Sequence, residues 1–324
     1  MKRELKNLEL ARYEASIRFS TAADLPLWSG NVLRSGFGAR LKEMVCLSYG
    51  GRGNDCSGCP QIASCAYDFF YNSHPIEGAK VLRNQEIPRP FAFEPPKPGR
   101  YRPGDVLVLG FTLIGKGMSY LPYFLLALRD LGKKGMSLGF REGKGKFDLV
   151  AVGSIGYGAR SNIFQEDTVY NRSIILGYKD MVEASEEHSG NLSIHFITPT
   201  QIKENGRFTA VPSFRGFMGR LISRANALAE FYGSGMLYDH DGVLTILSQC
   251  RAVSIASART EEIWMERRFH DQGPEKKLLA PFFKGEIAYF GEFSREIMAL
   301  LELGKLIHIG KMATFGNGSY EISV

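Results

Sequence analysis

The chain has no uninterrupted apolar run of 18 or more residues, and a membrane-crossing helix needs about that many. Its richest apolar stretch, around Tyr120–Leu128, is short and is interrupted by Pro122. The opening MKRELKNLELARYE carries no apolar core of the signal-peptide kind, so a cytoplasmic protein without a membrane partner is expected. No Gly-x4-Gly-Lys-Ser/Thr segment occurs, which removes P-loop nucleotide chemistry. No flavin or dinucleotide fingerprint occurs either, so a redox protein has little support. Charge of neither sign dominates. The chain sets 40 Lys+Arg against 34 Asp+Glu, and the resulting +6 favours a polyanionic partner only mildly.

What is present is a duplication. Residues 124–149 read FLLALRDLGKKGMSLGFREGKGKFDL, and residues 296–322 read EIMALLELGKLIHIGKMATFGNGSYEI. Ala127, Leu128, Leu131, Gly132 and Lys133 recur as Ala299, Leu300, Leu303, Gly304 and Lys305. After one inserted residue, Gly143, Gly145, Phe147 and Leu149 recur as Gly316, Gly318, Tyr320 and Ile322. Each copy reads as an amphipathic helix, a glycine–lysine loop and an alternating strand. Such a loop can offer backbone N–H groups to an anion. Lys133, Lys134, Lys144 and Lys146 flank the first loop, and Lys305 and Lys311 the second. The same glycines also suit plain tight turns between helix and strand.

Periodicity places a strand over Arg12–Ser20 and a helix over Leu25–Met44, then strands over Asp105–Gly115 and Lys146–Gly153 around a helix at Ser119–Leu131. In the second half it predicts a strand at Ser193–Phe196, a helix over Phe214–Leu228, and strand-like segments at Gly242–Ser257 and Gly285–Phe290. A helix over Glu292–Leu303 follows. The class is α+β, a tandem duplication of a ferredoxin-like (RRM-like) fold with a cysteine-rich insert, residues 46–65, in the first copy. Domains are expected over 1–160 and 191–324, with a polar linker over 161–190. The single sheet of this fold leaves one face free, and in the RNA-recognition module that face carries single-stranded RNA.

Leu303-Gly304-Lys305, His308-Ile309-Gly310-Lys311, Thr314-Phe315-Gly316, Gly318 and Tyr320 together resemble the glycine-rich signature of CRISPR-associated RAMP-superfamily proteins. Leu33–Gly38 with Cys46, Ile87–Phe91 and the segment from Gly104 to Gly115 resemble first-domain segments of the same proteins, in the same order. Within the superfamily the chain is most similar to the precursor-crRNA-processing endoribonucleases with two ferredoxin-like domains. The resemblance implies binding of CRISPR repeat RNA and metal-independent cleavage in which the ribose 2′-OH attacks its own phosphate. Many members place a catalytic histidine on or just after the first helix, yet Leu25–Val45 contains none. Some members use a basic cluster instead, and Arg34, Arg40 and Lys42 can serve that way. His74, the first histidine, is the candidate acid or base. His308, inside the second loop, is a candidate RNA contact, as are Arg267, Arg268 and His270, whose cations and aromatic neighbour suit phosphate contact and stacking. RNA is expected to cross a groove between the domains. The alternative is a non-catalytic RAMP subunit that holds crRNA within an effector complex, and other CRISPR effector subunits are then partners.

Four of the five cysteines fall in Cys46-x9-Cys56-x2-Cys59-x5-Cys65. Clustered thiols with a C-x2-C core in a cytosolic chain read as a metal site. Structural Zn²⁺ is the simplest occupant, with a [4Fe–4S] cluster as the rival. Cys250 reads as a core residue on a strand.

Overall fold

The computed structural model describes residues 7–47, 56, 58–72, 74, 87–268, 276–278 and 281–324, with backbone alone at 266–268 and 276–278. The chain divides into two compact units, Asn7–Gly177 with Ala227–Gly235, and Tyr178–Asn226 with Met236–Val324. No described helix is long and apolar enough to cross a membrane.

The N-terminal unit runs β1 (Glu9–Phe19), α1 (Ser29–Val45), α2 (Ala66–Tyr71), β2 (Phe91–Glu94), β3 (Val106–Ile114), α3 (Leu121–Lys134), β4 (Phe147–Gly156) and β5 (Ala159–Gln165). Its strands lie in the order β2-β3-β1-β4-β5, all antiparallel. The alternation of β1 turns Ala11, Tyr13, Ala15, Ile17 and Phe19 into the core, where Leu33, Phe37 and Leu41 of α1 meet them. Those three helix positions are spaced by four, which keeps them on one face. Phe37, Phe91, Phe93, Phe111 and Phe124 are all fully buried. Each such ring contributes about 1.5–3 kcal/mol of burial. The other face of β1 carries Arg12, whose guanidinium makes a bidentate pair with Glu94 at 2.7 Å, and Glu14, which pairs with Arg160 at 2.9 Å.

The C-terminal unit repeats the plan with β6 (His188–Thr200), α4 (Phe214–Tyr232, in this unit as far as Asn226), α5 (His240–Gln249), β7 (Ser254–Ile263), β8 (Phe282–Phe293), α6 (Arg295–Ile307) and β9 (Tyr320–Ser323). Its sheet order is β7-β8-β6-β9. In both units the first strand lies between the third and the fourth, which is the ferredoxin-like arrangement. Of Gly242–Ser257, expected as a strand, the first half to Gln249 is α5 instead, and Ser254–Ser257 opens β7 as expected. The Asp239 side chain accepts from the Gly242 N–H at 2.9 Å and caps the helix. Ile246 and Cys250 are its buried positions, spaced by four. Cys250 thus lies in the core, just past a helix rather than on a strand. Residues 159–190 hold β5, which pairs with β4, and the helix Tyr178–Ala184.

The repeated sequence corresponds to a repeated packing device. Gly132 and Gly304 sit in α3 and α6 where a Cβ would run into the Phe147 carbonyl and the Tyr320 hydroxyl, so each lets the closing strand lie against its helix. The loops then fold alike. Each has a short 3-10 turn, Phe140–Glu142 or Ala313–Phe315, between two left-handed residues, Gly139 and Gly143 or Met312 and Gly316. Gly145 donates to Ala22 O at 2.9 Å and Lys146 N–H to Thr21 Oγ1 at 2.9 Å. Their counterparts do the same, Gly318 to Pro199 O at 3.1 Å and Ser319 N–H to Thr198 Oγ1 at 2.9 Å.

Candidate functional site

The segment after the cysteines ends in α2, which places Tyr67 and Tyr71 one turn apart on a single face. Their rings stack at 5.1 Å with an interplanar angle of 2°. Gly38 on α1 lacks a Cβ, and one placed there would come within 2.6 Å of the Tyr71 ring, so this glycine is what allows α2 to close on α1. The Tyr71 hydroxyl donates to Arg34 O at 2.8 Å. Burial pushes this hydroxyl's pKa upward, against the opposing pull of the Arg34 cation, so Tyr71 remains a neutral donor.

Two cations of α1 lie over this pair. Arg34 Cζ is 4.8 Å from the centre of the Tyr71 ring, and Lys42 Nζ is 5.1 Å from that of Tyr67. Each contact is worth about 0.5–2 kcal/mol, and it holds the charge at a fixed place on the helix. Arg40 is not part of this group. On a helix of about 3.6 residues per turn it projects roughly 120° from Arg34 and roughly 160° from Lys42. It pairs there with Glu43 and lies 3.9 Å from Asp130 Oδ2 on α3.

His74 is tied to α2 through a residue that sequence reasoning missed, Asp68. Its Nε2 is 2.7 Å from Asp68 Oδ2. Asp68 is only 4% exposed, and its Oδ1 accepts from Asn72 Nδ2 at 2.9 Å. The imidazole itself is about half exposed. With Nε2–H donated to the carboxylate, Nδ1 is left as the proton acceptor. The one signal in the sequence is the i, i+4 spacing of Asp68 and Asn72.

Cys46, Cys56, Cys59 and Cys65 are free thiols that line one depression together with Ile62, Tyr67 and Asp68. Burial pushes the Cys56 thiol pKa up, opposed by the Lys42 charge and a hydrogen bond with Asn72. The sulfur donor set suits Zn²⁺ or an iron–sulfur cluster. Among the described residues, however, no three His, Cys, Asp or Glu side chains are drawn together closely enough to share an ion. Residues 48–55 and 57 of the insert lie outside the described residues.

The glycine loops are not open nests of N–H groups over most of their length. Met136, Leu138, Phe140, Glu142, Gly143, Lys144 and Gly145 all donate to carbonyls of the same unit. Ile309, Phe315, Gly316, Asn317 and Gly318 do likewise. Side chains are left to meet a ligand. Lys133, Lys134, Lys146 and Lys311 are exposed, and exposed Lys144 pairs with Glu142 at 3.0 Å. Lys305 is half-buried against Glu302 at 2.9 Å. His308 is 1% exposed and closes α6 with a positive φ, so Lys311 rather than this imidazole faces the surface. Arg267 and Arg268 lie on a short strand in register with Lys277 and Lys276, and His270 is outside the described residues.

Comparison with known proteins bears on both halves. The N-terminal domain family AF_1859_N matches residues 8–174, more than half of the chain. The family of CRISPR-associated endoribonuclease Cas6 matches residues 194–320. An uncharacterized protein of Archaeoglobus fulgidus is 28% identical over 323 residues, covering 98% of each chain. A Cas6 product complex superimposes with a TM-score of 0.56 at 17% identity, covering 97% of this chain and all of that one. A Thermus thermophilus Cas6 gives 0.51 at 15% identity over 99% of this chain and all of that one. A partial Cas6-RT-Cas1–Cas2 complex gives 0.55 at 12% identity, with 98% of this chain and 46% of that chain covered. At these identities the structural likeness is one of fold.

Proposed function

We propose that this chain, which belongs to the AF_1859_N family and matches the Cas6 family over residues 194–320, is a CRISPR-associated RAMP-superfamily endoribonuclease that cuts precursor CRISPR RNA by metal-independent transesterification at the α1–α2 site. The observation that carries this reading is the His74–Asp68 pair in the segment that also holds the Arg34 and Lys42 cations over Tyr71 and Tyr67.

In this mechanism Asp68 fixes the imidazole with Nε2 protonated, and His74 Nδ1 takes the proton of the ribose 2′-OH. The 2′-oxygen attacks the adjacent phosphorus and the bond to the 5′-oxygen breaks. A 2′,3′-cyclic phosphate remains, and the leaving oxygen becomes a 5′-OH by accepting a proton from the Lys42 ammonium. Arg34 balances the charge that builds on the phosphorane oxygens. Exposed loop lysines neutralise phosphates along the strand. Other CRISPR effector subunits are proposed partners, in line with the complex in which a Cas6 occurs beside Cas1 and Cas2.

We also propose that Cys46, Cys56, Cys59 and Cys65 hold a structural metal, Zn²⁺ or a [4Fe–4S] cluster, which ties down the segment leading into α2. No step of the cleavage passes through it.

The test is a denaturing gel of purified protein with its host's repeat RNA in excess EDTA. Wild type should give one cut with a cyclic phosphate end. His74→Ala should lower the cleavage rate by about 10²–10⁴-fold with RNA affinity kept, the usual contribution of a positioned base. Wild-type cleavage by His74→Ala would remove the base assignment. Tight binding by wild type without any cut would instead establish the crRNA-holding scaffold, the reading favoured by an α1 with no histidine.

A further inference from the structure

The two glycine loops share a backbone and differ at their tips. In the C-terminal copy the 3-10 turn is Ala313-Thr314-Phe315, and all three side chains are buried. In the N-terminal copy the matching turn is Phe140-Arg141-Glu142, and none is buried. Phe140 is 48% exposed, and Leu138, two residues before it, is 54% exposed. An aromatic ring left in water at the tip of a loop costs hydration free energy unless a ligand covers it.

The loop that carries this ring is held in place. Leu138 N–H donates to Asp24 O at 3.0 Å, Phe140 N–H to Ser137 O at 3.2 Å, and Ser137 Oγ accepts from Asp24 N–H at 2.8 Å. Gly143 O in turn accepts from Thr21 Oγ1 at 3.1 Å. The loop is therefore pinned on both sides to the segment after β1, and little ordering is left to be done on binding. Its surroundings are cationic. Residues 133–146 contain Lys133, Lys134, Arg141, Lys144 and Lys146 against Glu142 as the lone acid. The Arg141 guanidinium lies 5.9 Å from the centre of the Phe140 ring.

We propose that Phe140, with Leu138 beside it in sequence, is a stacking platform for an unpaired RNA base, and that Arg141 and Lys146 take the flanking phosphates. An aromatic face within a basic surface is the chemistry that single-stranded RNA requires, since every base has a π-face and every linkage a charge. The ring with a guanidinium beside it, in a stretch of five cations and one acid, pairs a flat face with positive charge as a nucleotide pairs a base with a phosphate. The proposal rests on the reading that this chain binds RNA.

The test uses the full chain and a short, labelled single-stranded oligoadenylate, with a duplex of the same length as control. Phe140→Ala should weaken single-strand binding about 5-fold or more, the value of one base stack. It should leave the salt dependence unchanged, because stacking releases no counterions. Lys146→Ala should instead flatten the salt dependence by about one phosphate contact. Phe140→Trp should restore affinity and show indole fluorescence quenched on addition of the single strand but not of the duplex. Equal affinity of wild type and Phe140→Ala, with an unquenched Phe140→Trp, would overturn the platform while the RNA-binding reading stands. Failure of wild type to bind either RNA would overturn that reading and the platform with it.

Discussion

Gly143 and Gly145 lie two residues apart in one loop, both left-handed with φ of +79° and +74°, and a methyl group placed on each meets opposite surroundings. Around Gly143 there is open space within 4 Å, whereas at Gly145 a Cβ would run into the Ser137 Cβ and come within 2.8 Å of the Met136 carbonyl group. Gly143→Ala therefore bears the left-handed penalty alone, about 1–2 kcal/mol. The stiffer unfolded chain offsets about 0.4–1 of that, so the net loss is about 0.5–1 kcal/mol. Gly145→Ala adds an overlap costing about 1–3 kcal/mol. Relief of that overlap strains the Met136–Gly145 and Gly145–Ala22 hydrogen bonds, 2.8 and 2.9 Å long, at about 0.5–1.5 kcal/mol each. Its total is about 2.5–7 kcal/mol, a large part of the roughly 5–15 kcal/mol that holds a domain folded. The chain has two tryptophans, Trp28 and Trp264. A Trp264→Phe background leaves Trp28 as the reporter of the N-terminal unit in urea denaturation. Gly145→Ala should shift the midpoint several times further than Gly143→Ala at unchanged slope. Equal shifts would refute the pinned loop, and with it the rigid base beneath Phe140.

Two further outcomes concern the tyrosines of the C-terminal unit and the cysteines. Burial raises the pKa of Tyr178, Tyr238, Tyr289 and Tyr320 in the C-terminal unit, Tyr238 to about 12. The unfolded hydroxyls titrate near 10, so above about pH 10 the unfolded state holds fewer protons and stability falls as pH rises. The slope approaches about 1.4 kcal/mol per pH unit for each tyrosine. Urea midpoints read from Trp264 should be flat below about pH 9–10 and drop steeply above, and a flat profile to strong alkali would contradict the burial. For the cysteine site, elemental analysis of the purified protein should find zinc or iron, and Cys59→Ser should release it and lower the melting temperature of the N-terminal unit. Metal-free protein with wild-type stability would dispose of that proposal.

The fold was legible because its main signals are local. Ala127, Leu128 and Leu131 face the core as their helical spacing requires, and their counterparts Ala299, Leu300 and Leu303 do the same. Val243, Thr245 and Ile246 gave α5 the look of a strand, since β-branched side chains favour strands when nothing else intervenes. The cap at Asp239 and the buried pair Ile246 and Cys250 decided otherwise. The site was less legible because its groups meet across the fold. Arg34 and Lys42 could be singled out as cations of α1, but their separation from Arg40 depends on which neighbours, Tyr71 and Tyr67 or Asp130, each one faces. Asp68 gave almost no sign, because a carboxylate that accepts from a histidine six residues away looks like any polar residue of a short helix. His308 lies in a motif where exposure was expected, yet its burial is set by packing that no linear pattern records.

The duplication also separates structure from function within a single chain. Whatever the two loops share must serve what both of them do, and both of them turn a helix into a strand. Gly145 and Gly318 are glycines because the Met136 backbone with the Ser137 side chain, and the Ile309 carbonyl, occupy the space a Cβ would need. Gly132 and Gly304 are glycines because a strand rests on them. These positions would be required even if neither loop touched a ligand, so the glycines by themselves say nothing about phosphate. Function has to lie where the copies differ on the same backbone. Phe140 stands in the open where Ala313 is buried, and Arg141 and Glu142 are exposed where Thr314 and Phe315 are covered. On that reasoning the N-terminal loop is the one shaped to meet a partner, and Phe140 is the residue of the pair of loops whose loss should be felt in binding rather than in folding.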